Sequence, residues 1–329
     1  MDLSSDKARV WFARYAWGVL ACNIPVILWG AYVRVSFSGD GCGAHWPFCN
    51  GAVIPQHMAA PMAIEFTHRL MTSVDTMAAI ALCVWAFLVF PRRHAVRRYA
   101  VLSVVFLLIE ALLGAGLVLL RYVAKDQSVG RAWYLSAHLT NTMLLLGALT
   151  ATAWLATKNS DRLQFREISP QLFGALGVAV FVSVTGAIAA LGDTLFPASS
   201  LGAGMQQDFS AASSGLLRLR VLHPAIAILG AAYIVWAAMR VLKRSDQVAA
   251  RKPAIRVIAL TLGQVLVGAL NIGLLAPVWM QLVHLLVADV VWIALVVLVL
   301  ASSSSLPTVT RADHVYIERA QRDANLPVR

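Results

Sequence analysis

Residues 279–301 read WMQLVHLLVADVVWIALVVLVLA, with Asp289 as the one acidic or basic side chain among them. An α-helix rises about 1.5 Å per residue, so a stretch of this length can cross a hydrocarbon core of roughly 30 Å. Its composition predicts a transmembrane helix rather than the core of a soluble domain. One histidine, His284, interrupts the apolar run near its beginning.

Similar apolar stretches occur throughout the chain. Together with residues 279–301 they predict eight transmembrane helices, at 14–35, 63–90, 99–121, 133–157, 170–191, 217–240, 255–275 and 279–301. The 329 residues are 59% hydrophobic and 13% charged, and the mean hydropathy is +0.72. Such a chain has too little polar surface to cover a soluble globule. The sequence therefore predicts an all-α, multi-pass membrane protein.

The net charge of +11 is concentrated in alternate loops. Three loops are rich in Lys and Arg, and three stretches contain neither. The basic loops are 91–98, 158–169 and 243–256, and the stretches without Lys or Arg are 36–62, 192–216 and 276–278. By the positive-inside rule, this pattern predicts that both termini face the cytoplasm. The basic charge then sets topology, and no nucleic-acid partner is expected. The first apolar run is interpreted as a retained helix, since no clear signal-peptide cleavage site follows it.

The two halves of the chain resemble each other weakly. Gly30 corresponds to Gly186, and Glu110-Ala-Leu-Leu-Gly114 matches Gln264-Val-Leu-Val-Gly268. Each half has an even number of crossings, so the repeats would point the same way, related by a pseudo-two-fold axis along the membrane normal. We predict two parallel-repeat four-helix bundles. The expected divisions are an N-terminal half at 1–157, a cytoplasmic linker at 158–169, a C-terminal half at 170–301 and a cytoplasmic tail at 302–329.

Four predicted helices run inwards from the outer face, and each carries a histidine near its beginning. These residues are His68, His138, His223 and His284. They lie five or six residues after the predicted helix starts, so their imidazoles would form one layer. A single membrane histidine is usually a packing residue bonded to a neighbouring helix. Four at matched depth, two in each repeat, instead favour bis-histidine ligation of one haem per half.

One acidic residue distinguishes the halves. Glu65 precedes His68 by three residues and shares its helix face, whereas Arg220 has the equivalent position before His223. An intramembrane carboxylate costs about 2.5–3.5 kcal/mol on insertion scales. It is interpreted as an acid/base group beside a porphyrin, with an ion pair to Arg69 as the alternative. Other intramembrane carboxylates have open roles, namely Asp75, Glu110 and Asp289.

Arginines near the outer face are candidate partners for haem propionates, through charge-assisted hydrogen bonds. The candidates are Arg69, Arg218 and Arg220. Snorkelling to the membrane interface explains the same residues equally well.

Two cysteines, Cys42 and Cys49, lie in the first outward loop, GDGCGAHWPFCNG at 39–51. An oxidising compartment allows them to form a disulfide. Two free thiols, or a zinc site that includes His45, are the alternatives. The sequence contains no Cys-x-x-Cys-His, which excludes covalent c-type haem.

Three segments resemble the haem A synthases, the bacterial and mitochondrial enzymes that make haem A for terminal cytochrome oxidases. Glu65-Phe-Thr-His68-Arg69 looks like the EFxHR signature of that family. Trp-Pro-Phe-Cys-Asn-Gly at 46–51 looks like the end of its first outer loop, and Gly-Asp-Thr-Leu-Phe-Pro at 192–197 is similar to another family segment. The resemblance spans residues 14–301.

The resemblance implies an oxidoreductase of the bacterial inner membrane. It would oxidise the C8 methyl of haem O to a formyl group by successive hydroxylations, giving haem A. By position, His68 and His138 would hold the substrate haem beside a catalytic Glu65. The remaining pair, His223 and His284, would hold a haem b that relays electrons. The same resemblance implies a disulfide between the outer-loop cysteines.

Several expectations about partners follow from the pathway alone. Haem O synthase and cytochrome oxidase assembly factors are candidate partners beside the lipid bilayer, and a homo-oligomer is left open. A di-haem electron-transfer protein of cytochrome b type is the rival interpretation, since it also uses four histidines. That rival explains neither the cysteine loop nor the single acid beside one histidine pair. A transporter built on parallel repeats is a third possibility.

Overall fold

A computed structural model of the chain describes residues 3–160, 168–210, 215–244 and 247–303. Over these ranges it is helical, with one isolated β-bridge between Cys49 and Ala52 and no strand. The helices are α1 Leu3–Val35, α2 Ala60–Val89, α3 Ala95–Leu119, α4 Val129–Lys158, α5 Pro170–Leu195, α6 Leu201–Phe209, α7 Gly215–Leu242, α8 Arg251–Gly273 and α9 Val278–Ser302. Among them, eight are long and apolar enough to cross a membrane. The predicted all-α membrane fold is confirmed.

Several helices start earlier than their apolar runs. Helix α2 begins at Ala60, with Pro61 in its first turn. Proline lacks a backbone N–H, but the N–H groups of a first turn have no acceptor within the helix, so no hydrogen bond is lost. Helix α4 begins at Val129 because the Ser128 hydroxyl accepts a hydrogen bond from the Arg131 N–H at 3.2 Å. Hydropathy does not detect a starting proline or a serine cap, so the predicted starts at 63 and 133 were three and four residues late.

The segment 192–216, predicted as an outward loop, contains the short helix α6. Its N-terminus is capped by Ser200, whose hydroxyl accepts from the Ala203 N–H at 3.1 Å. Nine residues are too few to cross a bilayer, so α6 lies outside the set of spanning helices. It belongs to the outer end of the molecule, which we define as the end where α2, α4, α7 and α9 begin.

The spanning helices of each half form the same ring of contacts. In the first half α1 packs on α2, α2 on α3, α3 on α4 and α4 on α1. In the second half α5 packs on α7, α7 on α8, α8 on α9 and α9 on α5. Between the halves α4 contacts α9, α4 contacts α5 and α1 contacts α9. A two-fold axis would produce this set, but the axis and the division into halves stay predictions.

The interior of the molecule is centred on α4 and its contact with α9. Leu146 and Leu149 of α4 and Leu295 and Leu298 of α9 are fully buried. Large apolar side chains on the other faces are exposed, as expected for surfaces that contact lipid chains. Parts of the predicted linker (161–167) and tail (304–329) lie outside the described residues.

Candidate functional site

Each of the four histidines predicted to bind haem faces a glycine on the preceding spanning helix. The pairs are Gly30 with His68, Gly114 with His138, Gly186 with His223, and Gly268 with His284. A Cβ atom at Gly30 would lie only 2.9 Å from His68 Cε1, and one at Gly186 only 3.0 Å from His223 Cε1. Contacts this short would displace the imidazoles. The glycines therefore leave the space that the histidine rings occupy, in both halves.

The four rings lie near the outer end. Each histidine follows the first residue of its helix by six to nine positions, and each is half-buried. Within the first half, His68 is close enough to His138 for their charges to interact, and His223 is similarly close to His284 in the second half. The structure thus brings the predicted histidines together in pairs, one pair in each half.

In the first half, a carboxylate orients one imidazole. Glu110 Oε1 lies 2.7 Å from His138 Nδ1. Asn141 Nδ2 donates to Glu110 Oε2 at 2.5 Å, and the Thr142 hydroxyl donates to Oε1. The other histidine differs, because the buried Nδ1 of His68 has no hydrogen-bond partner among the described residues.

In the second half, neutral side chains contact both imidazoles. His223 Nδ1 lies 3.0 Å from the Thr185 hydroxyl. His284 Nδ1 lies 3.3 Å from Gln264 Nε2, which also donates to the His284 carbonyl at 3.1 Å. Gln264 occupies the position that Glu110 has in the sequence repeat.

The carboxylate of Glu65 is buried and has partners on both oxygens. Arg69 Nη2 donates to Oε1 at 2.5 Å, and the backbone N–H of Cys42 donates to Oε2 at 2.8 Å. The ion pair considered as an alternative from the sequence is therefore present. The contact with Cys42 was missed, because no sequence signal links these two residues.

The first outer loop is hydrogen-bonded to Glu65 and Arg69 of α2. Cys42 and Cys49 form a disulfide, as the family resemblance predicted. The guanidinium of Arg69 donates from Nη1 to the carbonyls of His45 at 2.8 Å and Phe48 at 2.9 Å. Arg69 thus joins the loop to the carboxylate that precedes His68. Its predicted contact with a haem propionate stays a prediction.

Arg220 binds the second outer segment, residues 192–216, through a carbonyl and two carboxylates. It donates to the Phe196 carbonyl at 3.1 Å and forms ion pairs with Asp193 at 3.3 Å and with Asp208 of α6. Arg218, two residues earlier, is exposed on α7. The residue three positions before a histidine binds the neighbouring loop in both halves, as an anion in one and a cation in the other. Propionate contacts of Arg218 and Arg220 also stay predictions.

Two further buried carboxylates lie deeper than the histidine layer. Asn23 Nδ2 donates to Asp75 Oδ1 at 3.0 Å, which makes a polar contact between α1 and α2. Asp289 of α9 is buried, and its Oδ2 has no partner among the described residues. Neither carboxylate is hydrogen-bonded to one of the four histidines in the described contacts.

These residues fit haem. Imidazole nitrogen is a good iron ligand, and paired histidines on facing helices of a bundle are a common means of holding it. The Nδ1 atom of His68 is buried, and no hydrogen bond to a described residue explains its burial. At Gly30, Gly186 and Gly268, the absence of a Cβ lets the helix approach the opposite ring closely.

Comparison with known proteins identifies the family. The model of a family described as cytochrome oxidase assembly protein matches residues 13–296. The chain belongs to this cytochrome oxidase assembly protein family. Several curated relatives are named haem A synthase, which confirms the resemblance seen in the sequence motifs.

The relatives differ in name and length. A protein of Thermus thermophilus named protohaem IX farnesyltransferase is 42% identical over 296 residues, which cover 89% of this chain and 49% of that protein. A haem A synthase of Exiguobacterium sibiricum is 32% identical over 167 residues, 49% of this chain and 53% of the relative. One from Lysinibacillus sphaericus is 39% identical over 106 residues, 31% of this chain and 34% of the relative. The chain spans about half the length of the first relatives it matches.

Proposed function

We propose that the protein is a haem A synthase, an oxidoreductase that converts haem O to haem A in a bacterial inner membrane. The observation that carries the proposal is the opposite charge of the residue three positions before the first histidine of each pair. Glu65 lies about one helical turn before His68 on α2, whereas Arg220 has the corresponding position before His223 on α7. Relatives named haem A synthase support the same activity.

The two histidine pairs take different roles in this proposal. His68 and His138 hold the substrate haem O, because the acidic group lies on their side. His223 and His284 hold haem b, whose bound iron supplies one-electron chemistry. Hydrogen-bond contacts with Thr185 and Gln264 orient this second pair, as suits ligands of a resident cofactor.

Glu65 is the proton acceptor in the proposed reaction. Each hydroxylation would replace a C–H bond at this carbon by a C–O bond whose oxygen comes from water, and it releases two electrons and two protons. The electrons would leave through the second-half haem to a further one-electron acceptor, and Glu65 would take the proton of the broken C–H bond. The Arg69 guanidinium and the Cys42 N–H stabilise the charged carboxylate in a buried position.

The decisive test is the chemistry of the haem that the protein contains. Haem is extracted from protein purified after expression with a haem O synthase, and its mass is measured. Haem A or its hydroxylated intermediate, together with haem b, is the expected result. Haem b alone, with haem O demonstrably present in the cells, would instead support a di-haem electron-transfer protein of cytochrome b type.

A second candidate activity comes from the Thermus thermophilus relative named protohaem IX farnesyltransferase. The match with this chain covers 49% of that protein. The farnesyl transfer that gives the relative its name can therefore belong to the part that this chain does not match. Farnesylation of protohaem is the type of reaction that supplies haem O. We infer that a protohaem farnesyltransferase, or haem O synthase, is the functional partner, together with cytochrome oxidase assembly factors.

The farnesyl-transfer alternative has a direct test. The purified protein is incubated with protohaem IX, farnesyl diphosphate and Mg²⁺, and the haem products are analysed by mass. No farnesylated haem is expected from this chain alone. Its formation would assign the farnesyl transfer to these residues. Cross-linking in membranes that also contain the farnesyltransferase tests the partnership, and absence of any cross-linked product would count against it.

A further inference from the structure

The two halves differ in the charge of the side chain that contacts the histidine on the last spanning helix of each half. Glu110 on α3 contacts His138 on α4, and Gln264 on α8 contacts His284 on α9. Glu110 and Gln264 each stand four residues before the glycine that faces the same histidine. Position and partner therefore match, and the contacts differ mainly in that one side chain is an acid and the other is its amide.

The Glu110 carboxylate is held rigidly on the imidazole. Three donors hold its oxygens, namely His138 Nδ1, Asn141 Nδ2 and the Thr142 hydroxyl. Asn141 is itself fixed, since its Nδ2 also donates to the Phe106 carbonyl at 2.8 Å. A distance of 2.7 Å between Nδ1 and Oε1 is typical of a charge-assisted hydrogen bond.

The contact in the second half is weaker. Gln264 Nε2 lies 3.3 Å from His284 Nδ1 and 3.4 Å from His284 Nε2, and Gln264 Oε1 is buried without a partner in the described chain. Whichever end of the amide faces the ring, the side chain is neutral. It orients His284 without supplying a negative charge.

The physical consequence concerns the iron that these histidines would ligate. A carboxylate that accepts a hydrogen bond from one imidazole nitrogen makes the other nitrogen a stronger electron donor. Stronger donation stabilises the oxidised iron more than the reduced iron and so lowers the reduction potential. The effect is enhanced where the pair is shielded from water.

We propose that Glu110 is a positioning residue that strengthens His138 as an iron ligand and sets the reduction potential of the first-half haem below that of the second-half haem. The inference rests on the proposed function only in placing one haem on each histidine pair. It gives the two sites a direction, because electrons move spontaneously from the site of lower potential to the site of higher potential. Electrons removed at the first half would therefore pass towards His223 and His284.

The test compares two exchanges at the repeat-related positions, Glu110→Gln and Gln264→Glu. Protein is loaded with protohaem in both halves, and the two midpoint potentials are measured by spectroelectrochemical titration. A His223→Ala variant, which lacks one second-half ligand, assigns the signals. In the wild type the first-half haem is expected to have the lower potential. Glu110→Gln should weaken the preference of the first-half haem for the oxidised state about tenfold. This corresponds to a rise of about 59 mV in its midpoint potential for a one-electron couple.

The reciprocal variant keeps the inference testable if Glu110→Gln loses haem. Gln264→Glu should lower the second-half potential by a similar amount and leave the first-half potential unchanged. Unaltered potentials in either variant, with haem retained in both halves, would overturn the inference. Failure to convert haem O by the wild type would overturn the proposed function alone, since these potentials are measured with protohaem and without turnover.

Discussion

The glycines opposite the histidines determine where the imidazoles lie. In three of the four pairs, a Cβ on the glycine would come within about 3 Å of the ring. Real Cβ atoms essentially never show contacts under 3.0 Å, and contacts slightly longer than this require the neighbouring ring to shift by a few tenths of an ångström. Small residues at helix contacts are common in membranes because they let backbones approach. Here they also create room for a polar ring.

Replacing Gly186 by alanine tests this effect in the second half. We expect Gly186→Ala to displace His223 and to reduce haem bound in that half, while haem in the first half is retained. Haem content per protein, with the spectra of the two sites resolved, measures the change. Gly177→Ala on the same helix is the control, because nothing lies within 4 Å of a Cβ there. Equal haem loss in both variants would show that the helix, not the ring contact, is affected.

Replacing Glu65 by glutamine separates haem binding from haem oxidation. Glutamine preserves size and can still accept the Cys42 N–H bond, but it cannot accept a proton at ordinary pH. We expect Glu65→Gln to bind haem normally and to abolish formation of haem A, measured by mass analysis of extracted haem. Asp75→Asn, which changes a buried carboxylate elsewhere on α2, should remain active. A fully active Glu65→Gln would remove Glu65 from the reaction.

At the scale of elements, the outer loops are held by the helices that carry the histidines. Arg69 of α2 bonds to carbonyls of the disulfide loop, and Arg220 of α7 bonds to α6 and to the end of α5. Each guanidinium donates several hydrogen bonds to fixed acceptors at once. The planar arrangement of its N–H groups allows this, whereas the ammonium of lysine has no such rigid geometry. Loop position and histidine position are therefore coupled in both halves.

Removing the disulfide should loosen the first loop selectively. The ring between Cys42 and Cys49 is short, and for a ring of this size the chain-entropy model gives about 2–3 kcal/mol of stabilisation. We expect Cys42→Ala combined with Cys49→Ala to speed amide hydrogen exchange at residues 41–52 and to increase proteolysis there. Cys22→Ala, at an exposed free thiol on α1, is the control. Unchanged exchange in the double variant would show that the Arg69 contacts alone hold the loop.

At the scale of the whole molecule, the two halves meet along α4 and α9. Trp292 of α9 is buried, and its indole N–H donates to the Met143 carbonyl of α4 at 2.8 Å. A carbonyl on a spanning helix has few alternative partners in a membrane interior, so this bond favours one alignment of the halves. The histidines His138 and His284 lie on these same two helices.

Trp292→Phe should destabilise the contact between the halves. It removes the N–H donor but keeps most of the aromatic packing, so we expect a loss of about 1 kcal/mol, the usual net value of one hydrogen bond. Thermal unfolding followed by haem absorption in detergent or nanodiscs measures the change. Trp279→Phe on the same helix is the control, since that ring is 59% exposed. A larger loss in the control would contradict the proposed importance of the interface.

Much of the architecture was predictable because it depends on local composition. The spanning helices follow from apolar runs, and the histidine layer follows from spacing along each helix. The starts of α2 and α4 and the presence of α6 were not predicted. They depend on a proline at the start of α2 and on serine caps of α4 and α6, which hydropathy does not detect. The candidate ligands were thus predictable as a set, whereas their surroundings were not.

The membrane class, the eight helices able to cross a membrane and the candidate haem ligands were predictable from the sequence, because they follow from residue type and from helical periods of a few residues. The partners of those residues became evident from the packing of the helices. Glu65 meets Cys42 across 23 positions of chain, and Glu110 meets His138 through the packing of α3 on α4. Such contacts depend on how whole helices rotate and pack, which no local pattern specifies.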